Sequence, residues 1–249
     1  MTDPTQTQPQ TAFDTAERTM WSGRAHAYAA SFARLCAHPV EHLLDAAGIG
    51  TGTHVLDVGT GTGTAGVEAR VAALPQLPFP DGEFEAVIGN FVINHVGRPR
   101  AALTELRRVL KPGGRIALTL WGARRGAGQE LFGRAFAAAE AVIPADLPRL
   151  DPAEDFARTA DGFAELLREA GFTDAGAREL EWDHRATLDE WWGGPAAGVA
   201  TAGLVVTSQD AGTVVRIRRE YVRLAGEFAA GGHELALPHI AVLACGRAQ

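Results

Sequence analysis

The segment from Val55 to Gly63, Val-Leu-Asp-Val-Gly-Thr-Gly-Thr-Gly, constrains the fold of this chain more than any other. An apolar run that reaches an acid and then a glycine at every second position is typical of a buried parallel strand entering a tight turn. Glycine is required there because the backbone takes angles that other residues resist, and because a ligand can then approach the main chain closely. The sequence therefore predicts a strand over residues 54–58 and a ligand-binding turn directly after it.

Two later segments extend this pattern. Residues 77–90 carry Leu-Pro-Phe-Pro-Asp-Gly before an apolar strand, and residues 106–118 carry Leu-Lys-Pro-Gly-Gly between a helix and a strand. Together with the glycine turn, their order and spacing resemble class I S-adenosylmethionine (SAM) methyltransferases, over roughly residues 28–121. The resemblance implies a Rossmann-like α/β fold with a mostly parallel sheet flanked by helices. It also implies SAM as cofactor and transfer of a methyl group to O, N or C of a small-molecule metabolite.

The same resemblance implies which residues contact SAM. Asp57 would help to fix the ammonium group of the cofactor, or it would satisfy backbone N–H groups of the turn. Tyr28 is similar to a helix tyrosine that reaches the cofactor carboxylate, although one aromatic residue on an apolar helix face also suits a core position. A dinucleotide is a weaker alternative, because G-x-G-x-G lacks the third-glycine spacing of that motif. The cofactor-binding positions are Tyr28, Asp57, Gly59, Thr60, Gly61, Gly63 and Asn90.

The stretch that follows the turn is too short for a complete nucleotide-binding half. Two helices and two strands there need about 40 residues, whereas residues 64–77 can hold one short helix and one short strand. We expect the helix over 64–70 and the strand over 71–74, beside strand 54–58, so that the first half of the sheet is reduced. The ribose-binding acid that usually lies about 20 residues past the glycines has no counterpart on a second strand. Counting that far reaches only acids of the next turn and strand: Asp81, Glu83 and Glu85.

His95 is the candidate catalytic residue, one turn past the predicted strand 86–90. Histidine titrates near neutrality and can take a proton from a substrate hydroxyl or amine during methyl transfer. The alternative is a structural histidine bonded to the backbone. His38 and His42 are four residues apart, as metal ligands on a helix can be, but no third ligand is evident and no metal is predicted.

Composition limits the possible partners. The chain has 249 residues and a formal charge of −7, which gives no electrostatic reason to bind nucleic acid or an anionic membrane. Cys36 and Cys245 lie far apart and form no C-x-x-C motif, so both are expected to be reduced thiols. No apolar run is long enough to span a bilayer and no signal-peptide core is present, so a cytoplasmic protein with a small-molecule substrate is expected.

The predicted organisation is a disordered tail over residues 1–10 and a single methyltransferase-like domain over 11–249. Within that domain, residues 11–50 form N-terminal helices, and residues 122–235 form less regular cap elements on the substrate side. Further helices are predicted over 21–36, 40–47, 99–110, 129–142, 161–170 and 211–228. Further strands are predicted over 115–121, 175–182 and 237–245, with an irregular stretch over 188–206.

Three interpretations stay open at this point. The first is a methyltransferase that acts on a small metabolite. The second is a methyltransferase-like scaffold that no longer transfers methyl groups and acts as a ligand-binding protein, a partner subunit or a cyclase. The third is that the natural gene product holds a segment that this sequence lacks, which would strengthen the first interpretation.

Overall fold

The computed structural model describes residues 10–61 and 69–249. Its sheet has five strands in the order β1-β2-β3-β5-β4. The pairs β1–β2 and β2–β3 are parallel, whereas β5 is antiparallel to both β3 and β4. Four strands therefore run in one direction and β5 runs against them, which confirms the Rossmann-like α/β fold. The strands are β1 (Val55–Asp57), β2 (Phe84–Gly89), β3 (Leu110–Leu120), β4 (Thr173–Thr187) and β5 (Glu234–Arg247).

Helices precede the sheet and cover both of its faces. The predicted continuous helix over 21–36 is wrong, because the chain turns at Gly23, whose φ is 75°, and again at Ser31. The helix over 40–47 has the predicted bounds and ends at Gly48 in the left-handed conformation. The helices are α1 (Ala12–Trp21), α2 (Ala25–Ala29), α3 (Phe32–Ala37), α4 (Val40–Ala47), α5 (Pro99–Val109), α6 (Ala127–Ala138), α7 (Ala160–Glu169), α8 (Leu188–Ala196), α9 (Ala200–Thr207) and α10 (Ala211–Ala225).

The stretch predicted to be irregular, 188–206, holds α8 and α9 instead. Thr187 caps α8: its hydroxyl accepts from the N–H of Glu190, and the Glu190 carboxylate accepts from the N–H of Thr187. This reciprocal capping satisfies two N–H groups that the helix leaves free. Pro195 lies in the last turn of α8, so it does not prevent the helix from starting.

The predicted strand over 71–74 is also wrong. Among the described residues β1 pairs only with β2, and Val71 is fully exposed. Ala73 instead forms an isolated bridge with Gln76, which closes a tight turn. Residues 58–70 barely supply the dozen or more residues of a parallel crossover, and the turn at residues 73–76 ends the stretch before a strand can form. Of the helix predicted over 64–70, residues 64–68 lie outside the described residues, and Ala69 and Arg70 are not helical.

Apolar layers on the two faces of the sheet hold the helices in place. On one face α5 buries residues spaced for a helix, among them Leu103 and Leu106, and α7 buries Phe163. On the other face the layer includes Leu43 of α4 and Leu131 of α6. In the part of the chain that the structure describes, no helix is long and apolar enough to cross a membrane.

Candidate functional site

A cavity of about 860 Å³ lies at the carboxyl ends of β1, β2 and β3. Ligands of open α/β sheets bind at this edge, and the volume lies within the range of small-molecule sites. Asp57 and Thr60 are sequence neighbours of residues that line the cavity but are not among its lining residues. Gly63 and residues 1–9 of the predicted tail lie outside the described residues. Five of the residues that the sequence singled out line it: Tyr28, Gly59, Gly61, Asn90 and His95.

The glycine turn presents its main chain to this cavity. Gly59 has a φ of 70°, and a Cβ there would lie 2.6 Å from Cγ2 of Val92, so the loop after β2 packs where a side chain would be. Gly61 has a φ of 64°, and a Cβ there would meet no described atom within 4 Å. Gly61 therefore leaves open space beside the main chain, as the close approach of a ligand requires.

Asp57 supplies a carboxylate at the end of β1. Its side chain reaches water, but the surrounding protein removes enough solvent to raise the pKa of Asp57 to about 6. No hydrogen bond joins this carboxylate to any residue of the described ranges, and burial is the one cause of the shift. At neutral pH Asp57 is therefore an ionised acid without a partner in the described chain, which suits a cationic ligand group.

The Asn90 side chain is engaged by the protein. Its Nδ2 donates to the carbonyl oxygen of Cys36 at 2.6 Å, and its Oδ1 accepts from the Thr119 hydroxyl at 2.7 Å. The Thr119 hydroxyl in turn accepts from the N–H of Phe91 at 2.9 Å. Asn90 thus ties α3 to β3, which fixes the wall of the cavity and leaves one amide N–H for a ligand.

Tyr28 and Cys36 form a second closed pair in the wall. The Tyr28 hydroxyl and the Cys36 thiol interact, and burial raises the pKa of Cys36 to about 11. Burial also raises the pKa of Tyr28 well above its ordinary value. Both groups are therefore neutral at physiological pH. The Tyr28 ring meets Trp21 edge to face, with centroids 5.7 Å apart.

His95 is held by a carboxylate and not by the backbone. Its Nδ1 lies 2.7 Å from Oε2 of Glu17, a buried residue of α1. The same carboxylate oxygen accepts from the indole N–H of Trp21 at 3.1 Å. A carboxylate can only accept, so Nδ1 of His95 carries the proton, and Nε2 is the ring nitrogen that can act as a base.

Sequence reasoning missed Glu17 and the aromatic end of the cavity. Glu17 lies 78 residues from His95, and no local pattern connects the two. Trp121 and Trp191 both line the cavity. A tryptophan in the sequence favours a packed position but does not show which surface its ring faces. His38, considered as a metal ligand, stacks on Trp182 with ring centroids 4.8 Å apart.

Comparison with known proteins agrees with this geometry. Residues 54–118, which span β1 to β3, match the family model of the methyltransferase domain. This stretch of the chain therefore resembles a methyltransferase domain. The fold agrees with that resemblance: a SAM-dependent methyltransferase of Thermotoga maritima superposes with a TM-score of 0.51 at 13% identity, covering 93% of this chain and 100% of that one.

Two curated relatives are similar to part of the chain. A demethylmenaquinone methyltransferase of Clavibacter sepedonicus is 50% identical over 52 residues, which are 21% of this chain and 21% of the relative. A demethylmenaquinone methyltransferase of Renibacterium salmoninarum is 31% identical over 105 residues, covering 30% of this chain and 44% of the relative. The chain thus covers less than half of the length of either relative.

Proposed function

We propose that this protein is a SAM-dependent methyltransferase that acts on O, N or C of a small-molecule metabolite. The observation that carries the proposal is that one cavity joins the open glycine turn to the His95–Glu17 pair. Gly61 and His95 both line that cavity, so a cofactor on the turn and an acceptor beside the histidine can meet. The expected cytoplasmic location and the expected lack of a nucleic-acid partner stay predictions.

The residues present fit the methionyl end of SAM. Asp57 and the main chain of Gly59 and Gly61 would hold the ammonium end, and Tyr28 would approach the carboxylate. When bound, SAM supplies a methyl group activated by its positive sulfur. The adenosine end has no second strand with an acid, and a charged hydrogen bond of that kind contributes about 1.5–3 kcal/mol. We therefore expect affinity one to two decades below that of methyltransferases with the acid.

The chain's own part in the reaction is alignment and proton removal. Apolar side chains make up most of the cavity wall, so water is displaced when ligands bind, and held reactants react with an effective concentration far above that in solution. Nε2 of His95 is placed to take the proton from an acceptor hydroxyl or amine. Glu17 keeps the ring in the required tautomer and stabilises the imidazolium that forms.

Incubation with SAM labelled in the methyl group tests this proposal. Purified protein, SAM and a panel of small phenols, amines and enols would be followed by mass spectrometry for labelled product and for S-adenosylhomocysteine. Label in an acceptor, lost on His95→Ala, supports the proposal. Binding of SAM without transfer to any acceptor contradicts it.

The second candidate function is a methyltransferase-like scaffold that binds ligands without transferring methyl groups. The observation that favours it is the outer edge of β1, where no described residue forms a second strand and where residues 69–72 carry no regular structure. The labelling experiment separates the two candidates, because a scaffold binds an apolar ligand in the cavity and leaves the label on SAM.

A further inference from the structure

The cavity extends beyond the glycine turn that would hold the cofactor, and its other end is lined by aromatic side chains. The glycine turn follows β1, whereas the aromatic end lies toward β3 and β5, on the other side of β2 in the sheet. Phe91 stacks on Trp121 there, with centroids 4.0 Å apart and planes 17° apart. The residues of this end that the argument uses are Trp121, Phe132, Trp191 and His239, and all of them line the cavity.

Flat rings dominate this end. Phe132 stacks on Tyr221 at 5.2 Å with planes 4° apart, and Trp191 lies 6.0 Å from Phe132. Aromatic side chains favour offset-stacked and edge-to-face partners, and such pairs contribute about 0.5–1.5 kcal/mol beyond the burial of their area. The surface therefore suits a planar, conjugated ligand better than a flexible aliphatic one.

The amide side chains of Gln129 and Asn90 are already satisfied by the protein. Gln129 accepts from the N–H of Ile240 at 2.9 Å and of Gly126 at 2.7 Å, and its Nε2 donates to the Ile240 carbonyl at 3.2 Å. The Asn90 carbonyl oxygen accepts from Thr119. These groups fix the wall but have little capacity left for a ligand.

His239 differs from them. It is 2% exposed, and its Nδ1 lies 2.7 Å from the carbonyl oxygen of Leu237. A carbonyl can only accept, so Nδ1 carries the proton and Nε2 is an acceptor. None of the described residues donates to this Nε2. Burial lowers the pKa of His239 to about 4, so the ring is neutral at physiological pH and offers one acceptor without a charge.

We propose that the aromatic end binds the planar aromatic part of the methyl acceptor, and that a hydroxyl or N–H on that ring system donates to Nε2 of His239. This inference deepens the proposed function, because it names the substrate class of the same cavity. His239 selects the substrate, whereas His95 acts on the atom that is methylated. A ligand without the donor leaves Nε2 unpaired, and such a loss reduces affinity.

Calorimetry without SAM tests the inference, with 2-naphthol and its methyl ether 2-methoxynaphthalene as probes. One neutral hydrogen bond contributes about 1 kcal/mol, so wild type should bind the naphthol about fivefold more tightly than the ether. His239→Phe keeps the ring and should bind both probes alike. His184→Phe is the matched control. His184 is also buried, its ring centroid lies 6.0 Å from that of His239, and it does not line the cavity. The His184→Phe variant should keep the wild-type preference for the naphthol over the ether.

A measurement on wild type covers the case in which His239→Phe does not fold. In protein with ¹⁵N-labelled histidine, the naphthol should shift the Nε2 resonance of His239 and the ether should leave it in place. No shift, an equal preference in wild type and His239→Phe, or no binding of either probe overturns the inference. Since SAM is absent, a failure of methyl transfer does not affect these results. Transfer to acceptors that lack any ring donor would contradict this inference alone.

Discussion

His95 Nδ1 and Glu17 Oε2, 2.7 Å apart, join the first helix to the loop that follows β2. A second contact supports the first, because the Asp14 carboxylate accepts from the N–H of Gly97 at 2.7 Å. Helix α1 is therefore fixed over the loop that carries the candidate base. The N-terminal helix contributes a residue to the site as well as a wall, since Trp21 of α1 also lines the cavity.

Removing the base should lower turnover without weakening the binding of the cofactor. We expect His95→Ala to reduce kcat by about 10²–10⁴-fold, the usual range for a general base, and to leave the Kd for SAM within twofold. Steady-state kinetics and calorimetry measure the two quantities. Unchanged turnover at neutral and mildly acidic pH would return His95 to a structural role.

Glu17 is a positioning residue, and its removal should have a smaller effect of a different kind. Glu17→Gln should lower kcat less than His95→Ala and leave the KM for the acceptor unchanged, because the ring loses the carboxylate that fixes its tautomer and stabilises the imidazolium that forms. Glu227→Gln is the control, since that exposed carboxylate pairs with Arg134 at 2.7 Å outside the cavity. A wild-type kcat in Glu17→Gln would contradict the role.

The Asp57 carboxylate should strengthen ligand binding and lower the free energy of unfolding. Burial raises its pKa from 3.8 to about 6, so the folded protein holds this proton more tightly than the unfolded chain. Its unfavourable contribution to stability therefore appears as pH rises from about 4 to about 6 and persists above that range. We expect Asp57→Asn to leave unchanged or raise the free energy of unfolding at pH 7, while it weakens SAM binding. A marked loss of stability at pH 7 would contradict this account.

The buried histidines should make stability depend on pH in the opposite direction. Burial lowers the pKa of both His184 and His239 from 6.5 to about 4, so the unfolded chain takes up protons first on acidification. Their contribution to stability is present above about pH 6.5 and is lost as pH falls toward 4, by roughly 3 kcal/mol for His239. Urea unfolding at pH 7 and pH 5 should show a smaller acid loss in His239→Phe than in wild type. Replacement of the exposed His233 by Phe should keep the wild-type loss.

Asn90 should affect stability more than binding. Asn90→Ala removes the hydrogen bonds to Cys36 and Thr119 and leaves a buried hydroxyl without its acceptor, which costs about 1–3 kcal/mol. The Kd for SAM should rise by less than a decade, because one amide N–H remains for a ligand. Thermal unfolding and calorimetry compare the two effects. A large loss of affinity with unchanged stability would assign Asn90 to the cofactor.

Local sequence rules predicted the parts of the fold that depend on local chemistry. Gly48 ends α4, and the Val-Leu-Asp-Val-Gly run marks β1 and its turn, because a left-handed angle or a buried strand leaves a local pattern. The strand expected over 71–74 does not form, because pairing with β1 depends on contacts distant in sequence that no local pattern records. Glu17 could not be found from the sequence, since only the folded chain brings α1 to His95. His239 was likewise hidden within an apolar strand.

The glycine turn tests the central claim most directly, by calorimetric titration of SAM into three proteins. Gly61→Val places a side chain in open space where the cofactor would lie, whereas Gly52→Val has the same left-handed strain and equally open space outside the cavity. We expect Gly61→Val to bind SAM at least about tenfold more weakly than wild type, a loss of about 1.4 kcal/mol, and Gly52→Val to bind as wild type does. Equal binding of SAM by wild type and Gly61→Val would contradict the claim.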